Sequence, residues 1–504
     1  MAFLRYRLSV AVLALAAHPG LGAAEPPAPG VLPAADLQAD VALFRRAYET
    51  LHPGLYRYQS HAAIDADFRV LEQALSRDAT LASAFVAFSE FTAKIKCGHS
   101  YPNFFNQPDA VADSLFKNQD RLPFYFKWID GRMIVTRDFS GDPDLRPGTE
   151  VTAINATPVT KVLERLLTVS RADGSNDAKR IANLEVTGSE RFEAFDIYFP
   201  LLFPHPGPAI TLQLIPYGAD SQHPATVHVR ALTYAERIAP IAAQEKARSG
   251  GNAPLWDSRF LPDGTAVLRM PTWDTYNSSW DWQASLSAFF DEIVGRSSPR
   301  LVIDLRGNEG GTDVGDAILA HLIRAPLRKP ETVRLVRYRK VPPDLAPYVK
   351  TWDPSFKDWG ARAVDLGNGF YSLSDPPSAA EGVIAPAAHP YTGEVFVLVD
   401  ASNSSATFLF AQAVQQFKLG TLVGQPTGGN RRGINGGAFL FLHLPHSGIE
   451  IDIPLIGQYP VADQPDQGLI PDVRLSETVA DIATGSDGEL GALTAAWAAG
   501  RRLP

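Results

Sequence analysis

The sequence predicts a multi-domain α/β protein, α+β overall, and three kinds of pattern carry this prediction. Residues 36–96 show apolar stripes at helical spacing, and residues 122–234 contain short strand-like runs. The C-terminal half contains two units in which an apolar strand leads through a turn into a helix. With 504 residues, of which 45% are hydrophobic, the chain can bury a large core and is long enough for two or three domains.

The first 24 residues have the features of a secretory signal peptide. Arg5 and Arg7 precede an apolar stretch at 8–17, and small residues follow at 22–24. Because that stretch is too short to span a bilayer comfortably, we expect cleavage after Ala24 and a soluble protein, secreted or periplasmic, without an integral membrane segment. A net charge of -9 gives no reason to expect nucleic acid as a partner.

Residues 25–121 are predicted to form a leader and a helical cap. The apolar stripes that indicate the helices are Val41, Phe44 and Ala47; Phe68, Leu71 and Leu75; and Phe85, Phe88, Phe91 and Ile95. The segment ends at Cys97-Gly98-His99-Ser100. Because Cys97 is the single cysteine, no intrachain disulfide can form.

Residues 122–234 are predicted to form a β-rich module, and residues 235–504 the remaining core. The strand-like runs of the module are FYFKWI, MIVTRDF, EVTAIN, ITLQLI and TVHVRAL. Within the core, residues 340–390 are rich in Pro, Asp and aromatic residues, including Trp352 and Phe356. A long irregular insertion of this kind is either a functional segment, such as a lid or binding loop, or a surface insertion without a function. Both interpretations remain open.

The two strand-turn-helix units supply the groups that acyl transfer needs. In the first, LVIDL leads into NEGG at 308–311, which matches neither phosphate-binding glycine motif. Adjacent glycines instead allow backbone N–H groups to approach a reacting oxygen. In the second, VFVLV leads into ASNSSAT, where Ser405 lies at the start of a helix. A serine there is either a helix N-cap or a nucleophile.

Four motifs in order resemble peptidase family S41, which includes the C-terminal (tail-specific) processing peptidases and their tricorn-core relatives. The motifs are DLRGNEGG, SSAT, GTLVGQPTGG and QGLIPDV, and the resemblance covers residues 265–473. It implies an exported serine endopeptidase with a ClpP/crotonase-like ββα protease core, a polypeptide substrate and no cofactor. Residues 146–159 also resemble part of a PDZ module, although Thr149 and Ala156 replace the usual Asp and Gly. A β-subdomain without a ligand remains the alternative to this PDZ-like module.

The resemblance also directs attention to the general base. The position of the family's common lysine holds Asn430, and the adjacent Arg431 and Arg432 stay protonated and cannot serve as a base. Tricorn-like members use a histidine instead, which implies His99 as the base. The resemblance also implies an acidic orienter at Asp463 or else Asp466. We expect the Ser100 hydroxyl to orient the imidazole, and the oxyanion donors to be the backbone N–H groups of Gly310 or Gly311 and of Ala406.

Other functions are less favoured. A catalytically inactive protein that binds peptides or apolar ligands on the same scaffold remains the main alternative, because fold alone does not confer activity. The signal peptide disfavours an acyl-CoA enzyme, since acyl-CoA is cytoplasmic. A Cys97–His99 thiol site lacks an oxyanion motif, and His443 and His446 lack the other ligands of a zinc site, so no metal is expected. The sequence does not predict the oligomeric state.

Overall fold

A computed structural model describes residues 30–205, 207–219, 224–248, 253–276, 278–330, 332–373 and 382–501. The predicted signal peptide lies outside these residues. Within them, no helix combines the length and the apolar character needed to cross a membrane.

Four helices form the N-terminal region. Ser60 and Thr80 accept hydrogen bonds from the backbone N–H groups of Ala63 and Ser83, and so cap the second and third helices. Every residue of the three predicted apolar stripes is buried, which confirms the predicted helical segment. The elements are β1 Val31–Leu32, α1 Ala34–Leu51, α2 His61–Ala74, β2 Ala79–Thr80, α3 Leu81–Lys94 and α4 Asp109–Phe116.

The next region is an antiparallel sheet with helices packed beside it. Its elements are β3 Gln119–Arg121, β4 Phe124–Ile129, β5 Arg132–Asp138, β6 Glu150–Ile154, β7 Thr157–Pro158, α5 Val159–Leu166, α6 Asp177–Ala182, α7 Ala194–Leu202, β8 Ala209–Ile215, β9 Ala225–Arg230, β10 Leu232–Thr233 and α8 Tyr234–Arg248. The main sheet has the order β4-β5-β6-β8-β9, so all five predicted runs are strands. The pattern of strand-like runs did not predict α5, α6 and α7, which lie between those runs. The PDZ-like assignment of this region stays a prediction.

The C-terminal half contains the remaining elements. They are β11 Asp257–Phe260, β12 Ala266–Arg269, α9 Trp282–Gly295, β13 Arg300–Asp304, α10 Gly315–Leu322, β14 Leu327–Arg328, β15 Thr332–Val336, β16 Val349–Lys350, β17 Ala363–Asp365, β18 Tyr371–Leu373, β19 Val383–Ile384, β20 Glu394–Val399, α11 Ser405–Gln416, β21 Thr421–Gly424, β22 Asn435–His443, β23 Glu450–Pro460, β24 Val473–Arg474, α12 Val479–Thr484 and α13 Gly488–Ala498. Together with the N-terminal regions they form a mixed α/β architecture, as predicted.

One six-stranded sheet carries both predicted strand-turn-helix units. Its order is β11-β12-β13-β20-β21-β24, and it is parallel from β12 onward. Leu301 and Ile303 of β13 pack with α9, α10 and α11, whereas Val302 packs on the other face with α13. Burial of both faces explains why these strands are continuous apolar runs in the sequence. Since β13 and β20 are parallel neighbours, the turns that follow them lie side by side.

A second six-stranded sheet is built around a long hairpin. Its order is β16-β22-β23-β15-β18-β17, and all its pairings are antiparallel. The predicted insertion, residues 340–390, contributes β16, β17 and β18 to this sheet. These parts of the insertion are therefore regular structure, in contrast to the irregular loop that the composition predicted. The reason is that short edge strands gain their stability from pairing with distant residues, which a local pattern does not report.

The N-terminal helices dock on the β22–β23 hairpin. The Asp40 carboxylate in α1 accepts hydrogen bonds from the backbone N–H groups of His446 at 3.1 Å and Ser447 at 2.8 Å. The Tyr48 hydroxyl of the same helix donates to the carbonyl oxygen of Asp452 at 2.9 Å. These contacts hold α1, the first helix of the region whose last segment carries His99, against the second sheet.

Asp40→Ala tests this docking. The substitution leaves two backbone N–H groups without an acceptor, so we expect a loss of about 2–4 kcal/mol in the free energy of unfolding, measured with urea. Asp36→Ala is the comparison variant because Asp36 lies one turn earlier on the same helix, is only half-buried, and meets the hairpin through one longer contact, 3.4 Å from its Oδ1 to His446 Nδ1. We expect Asp36→Ala to cost less than about 0.5 kcal/mol. Equal losses in the two variants would contradict the docking role of Asp40.

Candidate active site

The two turns are joined by buried side-chain hydrogen bonds. The Asn403 amide donates to the carbonyl oxygens of Leu305 at 2.6 Å and Asn308 at 3.0 Å. The Thr407 hydroxyl donates to the same Asn308 carbonyl at 3.0 Å. Asn308, Asn403 and Thr407 are fully buried, so these bonds form in a region of low dielectric. They hold the glycine-rich turn and the serine turn in one relative position.

Ser404 and Ser405 differ in what their backbones and hydroxyls do. Ser405, the first residue of α11, has φ +50°, a left-handed conformation that is uncommon for a residue other than glycine. Its hydroxyl makes no hydrogen bond within the described part of the chain. The Ser404 hydroxyl donates to the carbonyl oxygen of Glu309 at 3.1 Å. Ser404 therefore secures the turn, while the Ser405 hydroxyl is unengaged.

A cavity of about 240 Å³ lies against this turn and includes the predicted base. Its wall contains His99, from the segment after α3, and Ser404, from the serine turn. Ser405 is not part of that wall, and among the described residues no hydrogen bond joins His99 to either serine. The remaining lining residues are Gly98, Tyr101, Asn103, Arg171, Ala172, Asp173, Lys179, Glu309, Gly428, Phe439 and Asp452.

The environment of His99 favours a neutral imidazole. Burial lowers the pKa of His99 from its usual value of 6.5, and the Asp173 carboxylate opposes this shift. The Nδ1 atom is buried and has no hydrogen-bond partner within the described residues. A neutral imidazole can accept a proton, which is the property that a general base requires.

Sequence reasoning missed Asp173. Its carboxylate is buried in the cavity wall, and its Oδ1 accepts the backbone N–H of Gly98 at 2.9 Å. The Asn430 amide donates to the Asp173 carbonyl oxygen at 3.2 Å and to Asp466 Oδ1 at 2.7 Å. Asn430 therefore holds the turn that carries Asp173. The sequence Asp-Gly-Ser-Asn at 173–176 signals such a turn, but it does not show that the turn meets His99.

None of the three predicted orienters hydrogen-bonds to His99 within the described residues. Asp463 is exposed. Asp466 accepts hydrogen bonds from Ser175 and Asn430. The buried Ser100 hydroxyl lies 2.7 Å from His52 Nε2. Because each group is exposed or already engaged, the structure does not support direct orientation of His99 by any of them.

An ion pair spans the cavity beside the serine turn. Lys179 Nζ lies 2.8 Å from Glu309 Oε1 and donates to the Ser402 carbonyl oxygen at 3.1 Å. Burial alone would raise the pKa of Glu309, but Lys179 and Arg171 beside it lower that pKa to about 2. Glu309 is therefore ionised across the physiological range. Sequence reasoning did not identify this pair, because Lys179 lies far from both motifs in the chain.

The glycine turn provides part of the predicted oxyanion site. The N–H of Gly310 donates to Asn308 Oδ1 at 2.9 Å, so it is already engaged and the prediction for this donor is not supported. The N–H groups of Gly311 and Ala406 make no hydrogen bond within the described residues. Gly311 has φ +130°, and a Cβ atom there would lie 2.4 Å from the Trp273 carbonyl oxygen. Only glycine therefore fits this position.

The region that carries both turns is similar to a known protein family. Residues 264–456, which contain both turns and the β22–β23 hairpin, match the sequence model of peptidase family S41. This part of the chain is therefore similar to the S41 peptidases. At the level of the family, this implies serine-type peptidase activity on polypeptides.

Solved structures resemble the fold of this protein over most of its length. Mature CPAF complexed with lactacystin superposes with a TM-score of 0.62 at 16% identity, covering 92% of this chain and 97% of that chain. Mature CPAF alone gives a TM-score of 0.60 at 15% identity, covering 91% of this chain and 95% of that chain. At these identities the likeness establishes the fold alone. No curated protein sequence matches the chain.

No metal site is evident in the described part of the chain. Among the residues that the structure describes, no group of three or more His, Cys, Asp or Glu side chains is placed to hold an ion. His443 and His446 accordingly have no neighbouring ligand set in this part of the chain.

Gly311→Ala tests the close packing of the glycine turn. Gly307 in the same turn also has positive φ, +83°, but a Cβ atom there would meet nothing within 4 Å. We expect Gly307→Ala to cost about 1–2 kcal/mol from backbone strain alone. Gly311→Ala adds a clash with the Trp273 backbone, so it should cost about 2–3 kcal/mol more. The check is the free energy of unfolding, and equal costs would show that the close approach of Gly311 to Trp273 is unimportant.

Proposed function

We propose that this protein is an exported serine endopeptidase that cleaves polypeptides through an acyl-enzyme on Ser405, with His99 as general base. The observation that carries the proposal is the cavity in which the neutral His99 meets the strained serine turn. Export is inferred from the N-terminal sequence. The left-handed backbone and unengaged hydroxyl favour Ser405 over Ser404 as the nucleophile.

The reaction proceeds in two halves. Ser405 Oγ attacks the scissile carbonyl carbon as its proton passes to His99, and the resulting oxyanion faces the N–H groups of Gly311 and Ala406. His99 then gives the proton to the leaving amine, and the C–N bond breaks to leave the ester on Ser405. Water, activated by His99, hydrolyses that ester and restores the serine. Since His99 and Ser405 are not hydrogen-bonded in the free protein, the substrate complex must bring them together.

Asp173 is the carboxylate that we propose to support His99. Its charge favours the imidazolium that forms during the reaction, and its hydrogen bond to the Gly98 N–H anchors the residue before His99. Asp173 acts through His99 and through the backbone, so it is a positioning residue. This role replaces the one that the sequence assigned to Asp463.

Lys179 is not the base in this proposal. The family's usual lysine is absent at position 430, and Lys179 is the lysine in the wall of the cavity. Its ammonium group is paired with Glu309 and hydrogen-bonded to the Ser402 carbonyl oxygen. The Nζ of Lys179 is thus already engaged as a hydrogen-bond donor to a carboxylate and a carbonyl oxygen. Its contribution is to hold the glycine turn and the serine turn together.

A peptide-binding protein without catalysis is the second candidate. Two observations favour it: the absence of a hydrogen bond between His99 and Ser405 among the described residues, and Asn430 in place of lysine. A fluorophosphonate serine probe separates the two candidates. Labelling of Ser405 that is lost in His99→Ala supports the enzyme, whereas absence of labelling with retained peptide affinity supports the binder.

The adjacent serines provide a matched pair of variants for the nucleophile. We expect Ser405→Ala to lower kcat/KM for an unfolded protein substrate by at least roughly 10⁴-fold, because no other hydroxyl can form the ester. Ser404→Ala removes only a hydrogen bond of the turn and should cost about tenfold or less. Thermal unfolding of both variants checks that they are folded. The opposite ranking would move the nucleophile to Ser404.

The pH profile tests the base and its support. Protonated His99 cannot accept a proton, so kcat/KM should fall as the pH falls through the pKa of His99, with a midpoint below 6.5. Asp173→Asn removes the charge that raises this pKa and should move the midpoint to still lower pH. Asp463→Asn, at an exposed position, should leave it unchanged. A midpoint that rises in Asp173→Asn is incompatible with this role.

A further inference from the structure

Three aromatic side chains form a shelf at the edge of the second sheet. The aromatic shelf consists of Trp352, Phe439 and Phe441. The ring centroids of Trp352 lie 5.8 Å from Phe439 and 5.6 Å from Phe441. Trp352 is therefore within aromatic contact distance of both phenylalanine rings.

The strand register explains the shelf. β16 pairs with β22 so that Lys350 faces Phe441. Two residues further along the antiparallel register, Trp352 comes opposite Phe439. Phe439 and Phe441 are alternate residues of β22 and share one face. Phe356 also contacts Trp352, with the two rings edge to face at 5.6 Å.

Trp352 remains exposed although these rings contact it. Its relative exposure is 60%, and Phe439 and Phe441 are only partly buried. A tryptophan held by three aromatic neighbours has its position fixed without having its surface covered. Such an ordered, uncovered apolar surface is typical of a site that another molecule covers.

The aromatic shelf is continuous with the catalytic cavity. Phe439 belongs to the cavity wall, and its ring centroid lies 5.8 Å from that of His99. A β-bulge between Gly436 and Phe439 interrupts the strand pairing just before Phe439. Bulges are frequent next to active sites, where they redirect side chains. A polypeptide chain with its scissile bond at His99 would therefore place a nearby side chain over the shelf.

We propose that the aromatic shelf binds a large apolar side chain of the polypeptide substrate, preferably Phe, Tyr, Trp or Leu, close to the scissile bond. This specificity rests on the proposed peptidase function. Such a side chain would cover the exposed Trp352 and gain both apolar burial and ring contacts. It also gives residues 340–390 a role, because the strand β16 that positions Trp352 belongs to that insertion.

Cleavage-site profiling tests the proposal. The full protein digests a mixture of denatured proteins, and mass spectrometry reads the residues around each cut. We expect enrichment of large apolar residues at one fixed position, and a loss of at least about fivefold of that enrichment in Trp352→Ala. Trp352→Phe should retain the preference. Val364→Ala is the control, because Val364 is 50% exposed and lies on β17, at the opposite edge of the same sheet.

A binding measurement keeps the proposal independent of catalysis. Two fluorescent peptides that differ only by Phe or Asp at the selected position are titrated into Ser405→Ala and into the double variant with Trp352→Ala. If no cleavage is seen, a set of peptides that places Phe at each position in turn is used. We expect the Phe peptide to bind about tenfold more tightly than the Asp peptide, and this difference to vanish in the double variant.

The outcomes separate the two proposals. Discrimination between the peptides without any cleavage by the wild-type protein supports the shelf and overturns the peptidase function. Cleavage with the same profile in the wild type and in Trp352→Ala overturns the shelf and leaves the peptidase function intact. Equal affinity for both peptides, including no measurable binding of either, also overturns the shelf.

Discussion

The parallel pairing of β13 with β20 is the constraint on which the candidate site depends. It places the glycine turn and the serine turn at the same edge of one sheet. Buried hydrogen bonds from Asn403 and Thr407 to the carbonyl of Asn308 then lock the two turns together. Without this pairing, the donors and the hydroxyl would have no fixed relation, and neither turn alone can stabilise an oxyanion next to a nucleophile.

The proposed base, His99, reaches this edge through contacts between segments that are distant in the chain. α1 docks on the β22–β23 hairpin through Asp40, and the segment after α3 then carries His99 into the cavity. The neutral state of His99 also depends on this docking, because burial is the main cause of its lowered pKa. The docking that positions His99 therefore also determines its protonation state.

Sequence reasoning succeeded where the signal is local and failed where it is not. The strand-turn-helix units and the helical stripes follow from periodicity and turn residues. Asp173 and Lys179 have no such signal, since each acquires its partner only when distant segments pack together. The motif placed Gly310 in the glycine turn, but it did not show that the N–H of Gly310 donates to the side chain of Asn308 and is therefore not free as an oxyanion donor. The strands within residues 340–390 were not predicted either, because they too form only by pairing with segments that are distant in the chain.

Asn430 occupies the position at which S41 peptidases commonly have a lysine, and its contacts explain why an asparagine fits there. Asn430 is fully buried, its amide holds the turn of Asp173, and its Oδ1 accepts the backbone N–H of Arg432 at 2.9 Å. A lysine has no acceptor atom, so it would leave that N–H unpaired and would bring a cation into a closed site. Asn430 therefore holds the turn whose Asp173 carboxylate lies with His99 in the cavity wall. In the mechanism that we propose, the neutral amide of Asn430 stabilises this turn, while the imidazole of His99 carries the proton.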